Sequence, residues 1–521
     1  MKAFAKCILV FSTIWAFCLP VRGETIYEKP GEVQPSGKID ELIFARLKAK
    51  GVQPARLCSD AVFLRRVYLD LTGTLPSADQ AEAFLSDAGA DKRSQLIDQL
   101  MRRDEFADYW AMRWGDVLRI KSEFPINLWP NAVQAYHRWL RAAMADNMPY
   151  DTFVRELLTA SGSNFRVPAV NFYRAAQSNT PEALAKAAAL TFMGDRMDSW
   201  PDGRRTGMAA FFSRAGYKKT AEWKEEVVFF DRSSKPIASA VLPDGTVPVL
   251  DGQRDPRQVF ADWLISPDNP WFARCIVNRI WYWLMGRGIV HEPDDFRPDN
   301  PPAHPDVLAL LAAELVDARY DLRHIMRLIL NSSTYQLSSV LRSDHPDAVT
   351  LFAGCPITRL DAEVLIDAIC QVTGTTEEYS SQIPEPFTWV PPDKRTIALG
   401  DGSITSSFLD MFGRPPRDTG MLSERNNAVT AAQRLHLLNS SHVRNKIERG
   451  AGLRRLRTRG WRDLSSTVQQ LYLTILSRRP TSEEKETVQA YAGSSGGRRN
   501  ADAFTDVVWA LVNSPEFLCR H

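Results

Sequence analysis

Cysteine is scarce in this chain, and no two cysteines stand close together. The 521 residues contain seven cysteines, and none forms a Cys-x-x-Cys pair with another. Covalent attachment of a c-type haem needs two such thiols and a histidine, so the sequence excludes it. The His-Glu-x-x-His zinc motif, the phosphate-binding P-loop and the dinucleotide-binding glycine fingerprint are also absent. The sequence therefore does not identify a reaction by itself.

Net charge is low as well, at +2 over the whole chain. The first 23 residues carry three basic side chains and no acidic one, so their removal leaves −1. A chain this close to neutral has no electrostatic preference for nucleic acid or for an anionic membrane surface. We therefore expect no nucleic-acid partner.

Long apolar runs are missing beyond the N-terminus. Two lysines precede the apolar stretch Cys7–Leu19, and the segment Val21-Arg22-Gly23 is typical of a signal-peptidase site. Residues 1–23 are thus predicted to be a signal peptide, cleaved near Gly23. The alternative is an uncleaved anchor, which would need about 20 apolar residues to span a bilayer. The mature protein is expected in the periplasm or secreted, and not integral to the membrane.

Helical periodicity dominates the rest of the chain. Residues 24–37 are polar, with Pro and Gly, and indicate a linker. Residues 38–212 are predicted to form an N-terminal helical domain, and residues 254–521 a C-terminal one. Between them, residues 213–253 hold short apolar runs such as Val227–Phe230 separated by turn residues, which predicts a small β-rich connector. The predicted fold class is mainly α.

One stretch occurs twice. Residues 67–84 align without gaps on residues 471–488, and both indicate a helix, a Pro-Ser or Pro-Thr cap and a second helix. A shorter echo relates ILNSSTY (329–335) to LVNSPEF (511–517). Either a shared supersecondary unit or two independent uses of good capping chemistry explains the match.

The region from 254 to 338 is predicted to organise the second half. A helix is expected to start near Trp271, with Asn269 as its N-cap, and to stop at Gly286. A loop at residues 291–306 follows, and its prolines restrict the backbone. A loop held this rigidly is either a structural buttress or a functional site.

Imidazoles and carboxylates are concentrated in this loop. They are the ligands that Zn²⁺ or another divalent ion would take, and the acids could also serve in acid–base catalysis. No covalently bound cofactor is expected, and a divalent metal ion stays open. The catalytic candidates are His291, Asp294, Asp295 and His304, and the metal-ligand candidates are His291, Asp294, His304 and Asp306.

A structural interpretation of the loop competes with the functional one. Arg279 lies in an apolar helical pattern, and a buried arginine needs a partner, for which we predict Asp295. Alternatively Asp295 pairs with Arg297, and His304 is the N-cap of the next helix. The polar stretch Ser423–Asn427 is interpreted as a surface or interface loop.

Several stretches together resemble a known family. The chain resembles the planctomycete-type paired domains of unknown function found in exported proteins that are fused to or associated with cytochrome c modules. The first domain's resemblance rests on residues 63–80, 149–162 and 207–212, and the second's on 261–308, 320–339, 359–369, 431–443 and 471–485. The resemblance implies export and a cytochrome c association, and it implies no settled activity.

The chain departs from the family at one place. Many members carry a Cys-x-x-Cys-His motif just ahead of the GMAAFF-like stretch, and here residues 193–200 read MGDRMDSW. One hypothesis is therefore a haem-less scaffold or partner-binding component of an envelope redox or polymer-degradation system. Its partner would be another envelope protein, such as a cytochrome or a hydrolase. The alternative is a hydrolytic, metal-dependent enzyme with its site on the 291–306 loop.

Overall fold

Helices make up most of the protein in the computed structural model, which describes residues 25–234, 239–250, 253–459, 463–494 and 500–521. The prediction of a mainly α fold is confirmed, and the strands form only small sheets. The predicted signal peptide lies outside the described residues. Within the described ranges, no helix has both the length and the apolar character that crossing a membrane requires.

Ten helices are described in the first half. Their starts follow capping chemistry, as at Ser59, whose side chain accepts from the Val62 N–H, and at Ser77, which forms the predicted capping box with Gln80. The helices are α1 Lys38–Ala49, α2 Asp60–Thr72, α3 Ala78–Ser86, α4 Lys92–Leu100, α5 Asp104–Val117, α6 Pro130–Ala145, α7 Tyr150–Thr159, α8 Asn171–Arg174, α9 Pro181–Ala188 and α10 Asp202–Ala209.

The second half continues in the same way. Asn269 was predicted to be the N-cap of the next long helix, but the N-cap residue is Trp271; Asn269 still accepts from the N–H groups of Trp271 and Phe272. Gly286 ends that helix at φ 74°, as predicted. The described helices are α11 Pro256–Leu264, α12 Phe272–Met285, α13 Pro305–Asp317, α14 Leu322–Asn331, α15 Ala362–Thr373, α16 Ser407–Met411, α17 Ala431–Asn439, α18 Ser441–Arg449, α19 Ala451–Arg459, α20 Leu464–Leu476, α21 Ser482–Ser494, α22 Asn500–Val512 and α23 Pro515–Leu518.

Two small antiparallel sheets occur in the described part of the chain. Strands β2 (Ala215–Lys219) and β3 (Glu226–Phe230) pair within the predicted connector, and β1 (Gly162–Ser163) adds to β3 from the first half. Strand β4 (Thr358–Arg359) pairs with β5 (Cys519–Arg520) near the C-terminus. The connector is therefore β-containing, and its sheet also takes in a strand from residues 38–212.

The repeated stretch forms the same unit twice. Helices α2 and α3 are joined through Gly73 at φ 60°, and helices α20 and α21 through Ser477 at φ 59°. The two units also contact each other, because α3 packs on α20 and Glu82 forms an ion pair with Arg479. A shared supersecondary unit is thus the better of the two explanations.

Buried side chains from both predicted helical domains form one hydrophobic cluster. Trp283 of α12 packs edge-on against Trp110 and Trp114 of α5, with ring centroids 5.5 and 5.9 Å apart. The segment interpreted as a linker also lies against this body, since Glu28 bridges to Cys58 and accepts from the Ser338 hydroxyl. The domain boundaries therefore stay a prediction.

Asp40 gives a direct test of how α1 is fastened to the second half. Its fully buried carboxylate accepts from the N–H and hydroxyl groups of Ser36 and Thr334 and from the Ser333 N–H. We expect Asp40→Ala to lower the free energy of unfolding by about 3 kcal/mol, because buried donors lose a charged acceptor. Denaturant unfolding measures it. Glu41→Ala, on the exposed face of α1, is the control, and equal losses would contradict the assignment.

Candidate functional site

Asp294 is the loop residue that binds Arg279. Its Oδ1 accepts from Arg279 Nε at 3.2 Å and Nη2 at 2.8 Å, and its Oδ2 accepts from the Leu422 N–H at 2.6 Å. Arg279 is fully buried and also donates to the carbonyls of Leu190 and Thr191. The loop is therefore clamped to α12 and to the segment just after α9 by one guanidinium.

The prediction that Arg279 pairs with Asp295 is wrong, because its acidic partner is Asp294. Asp295 instead forms an ion pair with the partly exposed Arg297, at 2.7 Å. Consecutive side chains in a loop diverge, so only one of the two acids can face the helix. The competing interpretation, in which Asp295 pairs with Arg297, agrees with the structure.

The two histidines of the loop contact different groups from those that Asp294 binds. His304 is buried at the N-cap of α13, and its Nε2 lies 3.2 Å from the Leu351 carbonyl oxygen. His291 stacks on the ring of Tyr282, with centroids 6.3 Å apart. Asp306 is exposed in the first turn of α13.

These side chains do not form a ligand set. Among the residues that the structure describes, no group of three or more His, Cys, Asp or Glu side chains could hold a metal ion. Asp294 is already used by Arg279, and His304 is hydrogen-bonded to the main chain. The loop is thus built as a buttress, and its geometry gives no support to the metal-dependent alternative.

Tyr282 also lines a cleft. It has a volume of about 270 Å³ and opens between α2, α5, α12 and the N-terminus of α15. We call it the arginine cleft, because four of its lining residues are arginines. Its lining consists of Leu69, Asp70, Tyr109, Arg113, Tyr282, Trp283, Gly286, Thr358, Arg359, Leu360, Asp361, Val364, Arg425, Asn427, Ala428 and Arg520.

The two acids of the cleft are fixed by basic and neutral donors. Asp361 accepts from Asn427 Nδ2 at 2.7 Å and forms an ion pair with Arg113 Nη2 at 2.6 Å. Asp70 accepts from Arg520 Nε at 2.8 Å and from the Tyr335 hydroxyl at 2.8 Å. Both carboxylates are therefore oriented before any ligand arrives.

A second layer of charges lies behind the cleft. Arg425 joins Asp116 at 2.7 Å and Glu363 at 2.6 Å, and Arg417 also binds Asp116, at 2.8 Å. Burial alone would raise the pKa of Glu363, but Arg425 and Arg414 beside it lower that pKa. This layer holds Arg425 in place at the cleft.

Arg359 stands out among the four arginines because no acid in the described part of the chain forms an ion pair with it. It is only 8% exposed, and it donates to the carbonyls of Phe412, Asn426 and Asn427, while its buried Nη1 has no hydrogen-bond partner. Burial lowers the pKa of Arg359, although Asp361 opposes the shift. The Oδ1 of Asn427 is unpartnered too. Among the described residues, the lining of the cleft thus includes one arginine nitrogen and one amide oxygen that have no hydrogen-bond partner.

Two phenols add neutral donors. Burial raises the pKa of Tyr109 to about 12, and burial also raises the pKa of Tyr282. Arg113 donates to the Tyr109 oxygen at 2.7 Å, so the phenolic hydrogen is left for another acceptor. At neutral pH, the cleft therefore presents guanidinium and phenol donors together.

Sequence reasoning missed most of this site. Ser423–Asn427 was predicted to be a surface or interface loop, yet Arg425 within it is buried and ion-paired. The signal was present in the Arg-Leu-Asp run at residues 359–361, which stands just before a helix that carries two further acids, Glu363 and Asp367. The partners, however, lie far away in the chain, and spacing alone cannot pair them.

Two protein-family models match the chain. The family described as PSCyt2, protein of unknown function (DUF1549), matches residues 38–201. The family described as PSD1, protein of unknown function (DUF1553), matches residues 256–492. No curated protein and no solved structure matches. The matched ranges lie within the two predicted helical domains.

Alanine substitution can distinguish the roles of Asp294 and Asp295, because only Asp294 binds Arg279. We expect Asp294→Ala to lower the free energy of unfolding by about 3–5 kcal/mol, because it leaves a fully buried guanidinium without its charge partner. Asp295→Ala is the matched control and should cost about 1 kcal/mol or less, since Arg297 is partly exposed. Chemical denaturation measures both. A larger loss for Asp295→Ala would restore the original prediction.

His304 makes stability depend on pH. Burial lowers the pKa of His304 to about 4, below the roughly 6.5 of an unfolded histidine. The folded state therefore binds fewer protons below pH 6.5, and stability present above that pH is lost as pH falls towards 4. We expect His304→Gln to reduce the stability lost between pH 7 and 4.5 by about 2 kcal/mol. Urea titrations at both pH values measure this, and an unchanged difference in His304→Gln would contradict the assignment.

Proposed function

The chain belongs to the family of paired PSCyt2 and PSD1 domains, the planctomycete cytochrome c-associated domains of unknown function, and from this premise we propose that its function lies in the arginine cleft, where the two domains meet. Asp70, Tyr109 and Arg113 come from the range matched by PSCyt2. Arg359 and Arg425, with other lining residues, come from the range matched by PSD1. Ligand sites occur preferentially at domain interfaces. A site that needs both domains gives a reason for their occurrence in one chain.

The proposed ligand carries an anionic group. Four guanidinium groups line the cleft against two carboxylates, and both carboxylates are already paired. Arg359, which forms no ion pair with an acid among the described residues, is the group that carries this inference. Its Nε and Nη2 already donate to carbonyls, so Nη1 is left to donate to one oxygen of a carboxylate, sulfate or phosphate. The volume of about 270 Å³ suits one small organic group, near the lower end of ligand pockets.

In this proposal the protein is the haem-less binding component of an exported system. It would hold an anionic segment of an envelope or extracellular polymer, and a partner such as a cytochrome or a hydrolase would carry out the chemistry. The absence of a Cys-x-x-Cys-His motif from the sequence supports this division of roles. Periplasmic or secreted location, after cleavage near Gly23, belongs to the same proposal.

Substitution of Arg359 tests the cleft. Isothermal titration calorimetry of the purified protein would use galacturonate, sulfate and phosphate, with neutral galactose for comparison. At least one anion should bind, galactose should not, and Arg359→Gln should weaken anion binding by roughly tenfold or more, because a charged hydrogen bond is lost.

Arg119→Gln is the matched control. Arg119 is also buried, donates only to main-chain carbonyls and has one unpartnered Nη2, but it does not line the cleft. It should destabilise the fold without changing anion affinity. No binding of any anion, or an equal loss of affinity in both variants, would refute the proposal.

A further inference from the structure

Tyr282 of α12 brings to the arginine cleft a hydroxyl that no group in the described part of the chain binds. Its side chain is partly exposed and lines the cleft. Its oxygen makes no hydrogen bond within the described ranges, and it is not among the fully buried side-chain atoms that lack a partner there. The oxygen therefore keeps accessible surface, and it can donate to a ligand and accept from one.

Nearby charges place this hydroxyl on the wall formed by Arg113 and Asp361. Burial raises the pKa of Tyr282, and beyond burial Arg113 lowers that pKa while Asp361 raises it. Both charged groups therefore lie close to the phenol. They form an ion pair at 2.6 Å, and both line the cleft. The hydroxyl of Tyr282 thus belongs to the polar part of the cleft.

Asp361 also relates Tyr282 to Arg359. Burial lowers the pKa of Arg359, and Asp361 raises it. One carboxylate therefore lies near both the phenol of Tyr282 and the guanidinium of Arg359. A single small ligand can contact both groups, with a negative charge at the arginine and a neutral polar group at the phenol.

The cleft has more room than a simple anion needs. Its volume is about 270 Å³. A water molecule takes about 30 Å³ in the liquid, so a sulfate or phosphate ion, with only a few non-hydrogen atoms, leaves much of this space unfilled. The ligand therefore carries a further group beside its charge.

Polar atoms around the remaining space favour hydroxyl groups. Asp361 binds Asn427 Nδ2 at 2.7 Å and Arg113 at 2.6 Å, which leaves lone pairs on its carboxylate. The Tyr109 hydroxyl accepts from Arg113 and keeps its hydrogen for another acceptor. A hydrocarbon group would displace water from these atoms without replacing its hydrogen bonds, which lowers affinity. Hydroxyl groups can replace those bonds.

We propose that the arginine cleft binds an anionic sugar, and that Tyr282 determines the preference for its hydroxyl groups. The carboxylate or sulfate of the sugar lies at Arg359, and a hydroxyl of the same ring pairs with the Tyr282 phenol beside Asp361. This inference rests on the proposed anion site at Arg359. It adds the substrate class, a uronic acid or sulfated sugar unit of a polymer.

Calorimetric titration of the purified full chain compares galacturonate and galactose 6-sulfate with cyclohexanecarboxylate, a six-membered ring with a carboxylate and no hydroxyl group. At least one sugar should bind about tenfold or more tightly than cyclohexanecarboxylate, and the tighter of the two identifies the anionic group. Tyr282→Phe should weaken binding of that sugar about fivefold and so narrow the ratio. The variant should fold normally, because the hydroxyl that it loses has no partner in the described part of the protein.

Tyr150→Phe is the matched control. The Tyr150 hydroxyl is also unpartnered in the described ranges, but it is fully buried, and Tyr150 does not line the cleft. This variant should leave the ratio unchanged. If cyclohexanecarboxylate binds as tightly as both sugars, or if Tyr282→Phe leaves the ratio unchanged, the inference is overturned while anion binding at Arg359 stands. If no anion binds at all, the proposed function fails as well, so the two failures are distinguishable.

Discussion

Buried guanidinium groups hold the two halves of this protein together. Arginine keeps its charge at all accessible pH values and has five N–H donors, so burying it requires several acceptors at fixed positions. Arg65 on α2 donates to the carbonyls of Ile475 and Phe517, more than 400 residues away along the chain. Arg417 and Arg425, both in the second half, form ion pairs with Asp116 on α5 in the first half. These bonds fix where α2 and α5 lie on the second half, and therefore fix the walls of the arginine cleft.

Buried arginines also explain the sequence similarity between residues 329–335 and 511–517. Arg65 and Arg66 are adjacent on α2, and they bind equivalent positions of the two echoed segments. Arg65 donates to the Phe517 carbonyl and stands over its ring, and Arg66 does the same with Tyr335. One helix thus interacts with two related turns through two neighbouring guanidinium groups. The echo between residues 329–335 and 511–517 is a matched pair of arginine-binding turns.

Local chemistry could be predicted from the sequence, and long-range pairing could not. The mainly α class, the capping box at Ser77 and the helix stop at Gly286 depend on neighbouring residues, and the structure has all of them. The choice between Asp294 and Asp295 depends on which side chain faces α12, a matter of backbone direction that spacing does not encode. The arginine cleft depends on the ion pair between Arg113 and Asp361, which are nearly 250 residues apart in the sequence. No local sequence motif can predict such a pair.

The distribution of these charges also joins the two halves of the chain to each other. Asp70, Arg113 and Asp116 all belong to the first half, and each finds its ionic partner in the second half, at Arg520, Asp361 and at Arg417 with Arg425. Removing one partner of such a pair while the rest of the protein stays folded would leave a buried charge uncompensated, at a cost of about 3–5 kcal/mol. A whole domain has only about 5–15 kcal/mol of stability, so each pair is a large fraction of it. The walls of the cleft therefore depend on ion pairs that neither half can form alone.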